Sequence, residues 1–261
     1  MVKVVRQFIP RCGTRTLMDI MTYSLNMRRI SIGRDKLFDL LREEKLLVPR
    51  RKRHYFTTDS KHRFHKYPNI AKDLVLTQPE QLWVSDITYI KSKEGPLYLS
   101  LITDAYSRKI MGYHLADHLK ATGPIEALKM ALANRMYPNR KLMHHSDKGI
   151  QYCCDNYVQI LNDNKIAISM TSKYDPYENA KAERVNETIK CEFELDEVLP
   201  DFPFAKREIK KTVEIYNNLR PHHSCYMNTP TQMHTCPNPY PIKLKTNQLW
   251  ETIFLNNFSS N

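Results

Sequence analysis

Residues 82–117 read LWVSDITYIKSKEGPLYLSLITDAYSRKIMGYHLAD, and their punctuation decides the fold. LWVSDITYIKS, LYLSLITDAY and KIMGYHLAD are each rich in β-branched and aromatic residues, and Gly95-Pro96 separates the first two. Runs of that kind bounded by turn residues predict three successive antiparallel strands. Asp104, at the end of the second run, is a tempting carboxylate, but with Ser107 and Arg108 behind it the expected role is to order the next turn.

Outward from this stretch toward the C-terminus, the periodicity predicts a helix over about 123–136, a short strand over 141–145 that ends in Ser146-Asp147, and a helix near 156–162. IAISMT follows as a strand, then the polar loop SKYDPY and a long helix over about 179–194. A further helix is expected over 203–218, and after it a Pro-rich, irregular stretch. Strands, helix, strand, helix, strand and helix in this order make an α/β fold that resembles the ribonuclease-H-like fold, a mixed sheet with flanking helices.

Toward the N-terminus, ISIGRDKLFDLLREEKLLVPRRKRHYF carries Leu37, Phe38, Leu40 and Leu41 at helical spacing, with Ser31 as the expected N-cap. The helix should span about 33–44. After the break at 45–48 and Pro49 come Arg50, Arg51, Lys52 and Arg53. Two readings stand side by side: the second half of a helix-turn-helix with this basic run on or beside the recognition helix, or a helix followed by an extended basic linker. The chain thus divides into a helical basic DNA-binding segment (1–54), a linker (55–81), the catalytic core (82–225) and a C-terminal tail (226–261).

The 261 residues carry a net charge of +12, and it is not evenly spread. Residues 1–77 hold 18 Lys and Arg against 7 Asp and Glu, whereas residues 78–261 hold 22 against 21. A basic block joined to a neutral domain is either a solvated arm or a surface for a polyanion, and nucleic acid is the partner implied. No run is apolar and long enough for a membrane span, and the N-terminal MVKVVRQFIPRC has no h-region or cleavage site, so an intracellular protein is expected. The six cysteines form no C-x-x-C pair and read as reduced thiols rather than a zinc knuckle.

Three carboxylates carry the chemistry. Asp86 and Asp147 sit where strand-like runs turn polar, and Glu183 lies on a helical pattern with 35 residues between it and Asp147. A phosphodiester is attacked in line, and two divalent ions about 3.5–4 Å apart can activate the attacking oxygen and stabilise the leaving one. Magnesium takes oxygen ligands and keeps several waters, so a few shared carboxylates suffice for two ions. No G-x-x-x-x-G-K-[ST] loop occurs, so ATP is not implied.

The contexts of these residues are D-x-T-Y (Asp86 to Tyr89), H-S-D-x-G-x-Q-Y (His145 to Tyr152) and N-A-x-x-E (Asn179 to Glu183). Lys190, Y-N-x-x-R-P-H (Tyr216 to His222) and Thr229-Pro230 follow. Together they resemble the DDE transposases of bacterial insertion sequences, specifically the second-frame product of the insertion-sequence-three family, itself similar to the retroviral integrase core. The resemblance runs from about Ile30 to Pro230. It implies a ribonuclease-H-like core, two Mg²⁺ or Mn²⁺ ions held by Asp86, Asp147 and Glu183, and metal-dependent cleavage and strand transfer at transposon ends. It also implies a homo-oligomer on DNA, the upstream-frame product as a further partner, and a cytoplasmic, nucleoid-associated location in a bacterium. Glu178 departs from the Asp the family more often has before Asn-Ala. The family's coiled coil and first helix-turn-helix belong to the upstream frame.

Several residues keep two readings. Lys190 lies two helical turns past Glu183, about 10.5 Å along the same face, and either contacts DNA, as the resemblance implies, or pairs with Glu187 and Glu194. Asn179 either steadies the loop before Glu183 or caps the helix. His144 and His145 flank the site without a metal-ligand spacing, and one of them could be strand-end packing; His145 matches the motif beside Asp147 and is given a supporting role. Trp83 and Tyr89 read as core or wall. Rivals to a transposase are a retroelement-type integrase or nuclease on the same fold and a catalytically silent DNA-binding regulator. An integrase zinc module would need His-His-Cys-Cys, and only Cys12 precedes Asp86.

Overall fold

The computed structural model describes residues 1–49, 63–172, 179–236 and 243–258, with the side chains of 243–248 and 257–258 left aside. The elements are α1 (Val2–Phe8), α2 (Thr14–Met27), α3 (Arg34–Glu43), β1 (Leu82–Ser92), β2 (Gly95–Asp104), β3 (Ile110–Ala116), α4 (Thr122–Ala133), β4 (Met143–Ser146), α5 (Ile150–Cys153), α6 (Asp155–Asp163), β5 (Ala167–Met170), α7 (Ala180–Glu192), α8 (Phe202–Asn218), α9 (Pro230–Thr235) and α10 (Lys243–Phe258). A 3₁₀ turn spans His223–Cys225.

The five strands form one sheet in the order β3-β2-β1-β4-β5. β1 pairs antiparallel with β2 and β2 with β3, as the sequence of short connections requires, whereas β4 pairs parallel with β1 and β5 with β4 through helical crossovers. Gly95 makes the β1–β2 turn at φ 126, a conformation that side-chain-bearing residues rarely adopt. At Gly112 the requirement is space: a Cβ there would lie 2.1 Å from the Ala127 carbonyl oxygen, so α4 seats directly on the β3 backbone.

Alternation along β1 sends its side chains to two different layers. Trp83 and Ile87 join Ile102 of β2 and the inner faces of α4 and α6, including Leu128, Tyr157 and Leu161. Ile90, with Leu97, Leu99 and Leu101 of β2, packs under Val185 and Ile189 of α7 and Ile209, Val213 and Tyr216 of α8. Helices therefore cover both faces of a mixed sheet. The second cluster continues into Val5 and Ile9 of α1, Leu17 and Ile20 of α2, Leu37 and Leu41 of α3 and Trp250 and Phe254 of α10. The N-terminal helices share a hydrophobic core with the sheet layer. Polar ties reinforce this: Arg11 meets Glu194, Asp196 and Glu197 at 3.1, 3.0 and 2.6 Å, and Arg28 meets Glu251 at 3.0 Å.

Three expectations are corrected. The N-cap of α3 is Gly33, not Ser31, with no side-chain cap bond. Residues 1–30, which carried no assigned elements, form α1 and α2. The stretch after residue 226 is not irregular: α9 begins with a Thr229–Gln232 capping box and Pro230 in its first turn, and α10 follows the proline-rich segment. The apolar signal of α10 rests on few positions, Trp250 and Phe254 among them, set among Asn and Thr residues of low helix propensity. Packing against α1 and α2 supplies what local pattern does not. All six cysteines are free thiols. Among the described residues no helix is long and apolar enough to cross a membrane.

Candidate active site

Asp86 sits in the middle of β1 on the α7 side of the sheet. The parallel register pairs Val84 with His145. Continued two residues, it sets Asp86 level with Asp147, just past the end of β4, on strands spaced about 4.8 Å apart. Asp147 Oδ1 accepts a hydrogen bond from the Gly149 amide at 3.0 Å. A Cβ on Gly149 would stand 2.9 Å from that same oxygen, which explains why glycine follows two residues after the aspartate. Here a motif position has a steric cause.

α7 lies over this point with residues 179, 182, 186 and 189 facing the sheet. Asn179 donates from Nδ2 to the Ser85 carbonyl oxygen at 3.1 Å, while its backbone carbonyl accepts from Glu183 N at 3.1 Å. It occupies the N-cap position but makes no side-chain cap bond. Its amide fastens the start of the helix to the residue before Asp86. Asn186, one turn past Glu183, donates from Nδ2 to Asp86 Oδ2 at 2.6 Å. Sequence reading missed Asn186; its signal was the spacing of three from Glu183, which puts both residues on neighbouring positions of one helix.

The electrostatics follow from this packing. Asp86 has its pKa pushed up to about 7, first by desolvation and then by the charge of Asp147; the Asn186 and Ile87 donors oppose this and Glu183 adds to it. Glu183 itself is exposed, its pKa raised by partial desolvation and by Glu187. The structure thus brings Asp86 and Asp147 together and sets Glu183 within electrostatic reach. Among the described residues no group of three or more His, Cys, Asp or Glu stands close enough to hold a metal ion as it is.

Lys190 is half-buried on the same face and donates to Thr88 Oγ1 at 3.3 Å, two residues along β1 from Asp86. Desolvation lowers its pKa, and Asp86 is among the charges that raise it. The expected intrahelical partners are engaged elsewhere, Glu187 with Arg184 at 3.2 Å and Glu194 with Arg11 at 3.1 Å. His145 is buried and turned sideways, its Nδ1 2.9 Å from Ser169 Oγ, which in turn accepts the backbone N–H of Ile70 and of Ala71 at 3.0 and 3.2 Å. It holds β4 to β5 and to the incoming linker. His144, on the opposite face, meets Ser85 Oγ and Tyr157 Oη at 2.9 Å each, and desolvation drives its pKa down to about 3, so it is neutral. Trp83 is fully buried, and Tyr89 packs edge-on against Tyr98 with ring centres 5.1 Å apart. Asp104 is no fourth ligand: its carboxylate accepts from Ser107 N, Ser107 Oγ and Glu80 N at 2.7–2.8 Å. Arg50, Arg51, Lys52, Arg53 and Glu178 lie outside the described residues.

Known proteins resemble this chain in sequence and in fold. Models of the integrase core domain match residues 77–176 and 164–230. An uncharacterized 31 kDa protein of insertion element IS600 from Shigella sonnei is 34% identical over 218 residues, 81% of this chain and 76% of that protein. The transposase of IS904 from Lactococcus lactis is 33% identical over 60% of this chain and 62% of its own length. Transposase InsF of IS3A from Escherichia coli is 32% identical over 62% of this chain and 57% of its own length. The chain therefore spans less than two thirds of the length of these last two relatives. A chain of the simian T-cell lymphotropic virus intasome superposes with a TM-score of 0.53 at 18% identity, covering 93% of this chain and 77% of that one, a likeness of fold.

Proposed function

Because the chain belongs to the IS3 family of insertion-sequence transposases with a DDE integrase-like core, proteins of DNA transposition and integration, we propose that it cuts the strand at transposon ends and joins the freed 3′-hydroxyl to another strand, with Asp86, Asp147 and Glu183 as the catalytic carboxylates. The observation that carries this reading is the β1–β4 register, which aligns Asp86 with Asp147 beneath the first turns of α7.

The donor set fits hard divalent cations. Its members are carboxylate oxygens, and Asp86 carries a raised pKa, first because it is desolvated and then because it faces the charges of Asp147 and Glu183. A cation between them would relieve that repulsion. Two Mg²⁺ or Mn²⁺ ions, when bound by Asp86, Asp147 and Glu183, supply activation of the attacking oxygen and stabilisation of the leaving one. The protein's own residues do the positioning. Asn186 fixes one oxygen of Asp86, Gly149 N fixes one oxygen of Asp147, and Asn179 fastens the start of α7, the helix that carries Glu183, to β1. Lys190 offers a cation on the same face for a phosphate beside the cut, and Arg50 to Arg53 extend the non-specific DNA surface. No step needs a covalent protein–DNA intermediate. A homo-oligomer serves to hold two ends at once.

The test is direct. Oligonucleotides carrying the element's ends are incubated with the protein and Mg²⁺ or Mn²⁺, and nicked and strand-transferred products are resolved. Metal-dependent release of a 3′-hydroxyl at the end and its joining to a second strand is the expected result. Cutting that persists in chelator, or ends left intact at saturating protein and metal, would overturn the reading.

A further inference from the structure

A second concave surface lies beside the start of α7. Tyr106 and Arg108 from the β2–β3 turn, Lys181 from α7, and Ser224 and Tyr226 from the turn after α8 line a cavity of about 330 Å³. Arg108 donates from Nε to Ser224 Oγ at 3.3 Å, which joins two walls of the groove. Arg108 also acts on Lys181 as a like charge. Asp104, whose charge reaches Lys181, is fully buried and committed to the Ser107 and Glu80 donors. Among the described residues the lining holds two cations and no carboxylate, which favours an anionic ligand.

The aromatic wall narrows the ligand further. Tyr226 is 60% exposed, an unusual state for a large ring in a structured turn, and its backbone holds φ 54 in the left-handed region. Tyr106, half-buried, stands next to it. A positively charged groove with an exposed aromatic face suits a nucleotide whose base is free to stack. A base inside a duplex is stacked on both faces, so a ring in a groove of this kind favours an unpaired base. Lys181 and Glu183 both belong to the first turn of α7, so the groove lies at the same end of that helix as Glu183.

The geometry points to a single-stranded DNA site, in which a backbone phosphate sits between Arg108 and Lys181 and an unpaired base lies against Tyr226. The assignment rests on the transposase reading for naming DNA as the polyanion. It adds a place, at the Glu183 end of α7, for a strand separated from its complement.

The experiment compares wild type, Tyr226→Ala, Tyr226→Phe and Lys181→Gln for binding to oligothymidine and to a duplex of equal length, by fluorescence anisotropy across a salt series. Thermal melting of each variant controls for folding. Tyr226→Ala should weaken oligothymidine binding about tenfold with duplex affinity little changed, and Tyr226→Phe should restore it. Lys181→Gln should lower the slope of log affinity against log salt by about 0.7 on the single strand. Unchanged oligothymidine affinity in a folded Tyr226→Ala protein overturns the site, as does an equal loss on duplex and single strand. The transposase reading is judged separately by end cleavage with wild type: ends left uncut while the oligothymidine effects hold would sink that reading and leave the groove standing.

Discussion

Two carboxylate clusters flank β1, and they are built in opposite ways. At one end of the strand Glu80, Asp104, His234 and Ser107 are all fully buried, with Glu80, Asp104 and His234 at 0% exposure. Glu80 accepts from the amides of Met136 and Tyr137 at 2.7 and 3.1 Å and pairs with Arg135 at 3.1 Å and with His234 at 3.3 Å. Its pKa is lowered despite the burial, because these donors outweigh the desolvation. In mid-strand, the Asp86 pKa rises to about 7. The difference lies in the balance: at Glu80 the donors outweigh desolvation, whereas at Asp86 desolvation and the charge of Asp147 outweigh the donors. One cluster is saturated and structural, tying α9 and the end of α4 to β2. The other faces further carboxylates, the place proposed above for a divalent cation.

The largest effect should fall on the unsaturated cluster and on chemistry alone. Asp86→Asn, Asp147→Asn and Glu183→Gln are each expected to reduce end cleavage by on the order of 10³-fold or more, with a double variant little worse than a single one, because such residues act as a unit. DNA binding should be nearly kept, and each variant should remain folded. Near wild-type cleavage by any one variant removes that residue from the assignment.

The saturated cluster should show the reverse. Glu80→Gln or His234→Ala leaves buried groups without partners, and breaking a buried, hydrogen-bonded pair costs about 3–5 kcal/mol. Chemical denaturation should show that loss, whereas cleavage per folded molecule stays near wild type. The pH window follows from the signs. Glu80, with its lowered folded pKa, stabilises above its unfolded value and loses that contribution on acidification; His234, with its raised pKa, stabilises below its unfolded value and loses that contribution as pH rises through the folded one. Stability of the pair is thus greatest in the mildly acidic range. A melting temperature indifferent to either substitution would erase the contrast between the clusters.

Asp86 predicts a pH dependence of the other sign. Its folded pKa lies above the unfolded value, so the folded state holds the proton more tightly, and stability is lost as pH rises from about 4 to 7. After discounting for partial exposure the loss should be about 2 kcal/mol. In metal-free protein Asp86→Asn should remove this slope and raise the melting temperature near pH 7, and Mg²⁺ should stabilise wild type more than the variant. Identical melting curves with and without Mg²⁺ at pH 7 would count against a cation at this cluster.

How much of this was legible beforehand depends on where the information sits. The sheet, its antiparallel hairpins and the helices around it were readable because period-2 and period-3.6 patterns reflect local burial, and each candidate carboxylate stood in a motif. Asp104 was rightly set aside, since Asp-x-x-Ser is a local turn signal. Asn186 was not found, because its role arises only when α7 lies across β1. The Glu80–His234 pair joins residues 154 positions apart and has no local pattern. The helices α1, α2 and α10 were missed for the same reason: Leu17, Trp250 and Phe254 acquire meaning through one another.

The smallest effect concerns Lys190, which stands between the two designs. Its ammonium reaches Thr88 Oγ1 at 3.3 Å, a weak tie to a neutral hydroxyl, yet it sits half-buried on the Asp86 face. If that tie were its purpose, Lys190→Ala would lose a few tenths of a kcal/mol, as for an exposed pair, and cut normally. A phosphate contact predicts otherwise. Lys190→Ala should then cut about tenfold more slowly and bind terminal duplex with a salt slope smaller by about 0.9, whereas Lys190→Arg keeps the slope and recovers part of the rate. Cleavage rate and salt slope must move together, since both report one lost charge beside the strand. A folded Lys190→Ala protein with wild-type slope and rate would place Lys190 with the structural residues and leave the carboxylates without a cationic neighbour in catalysis.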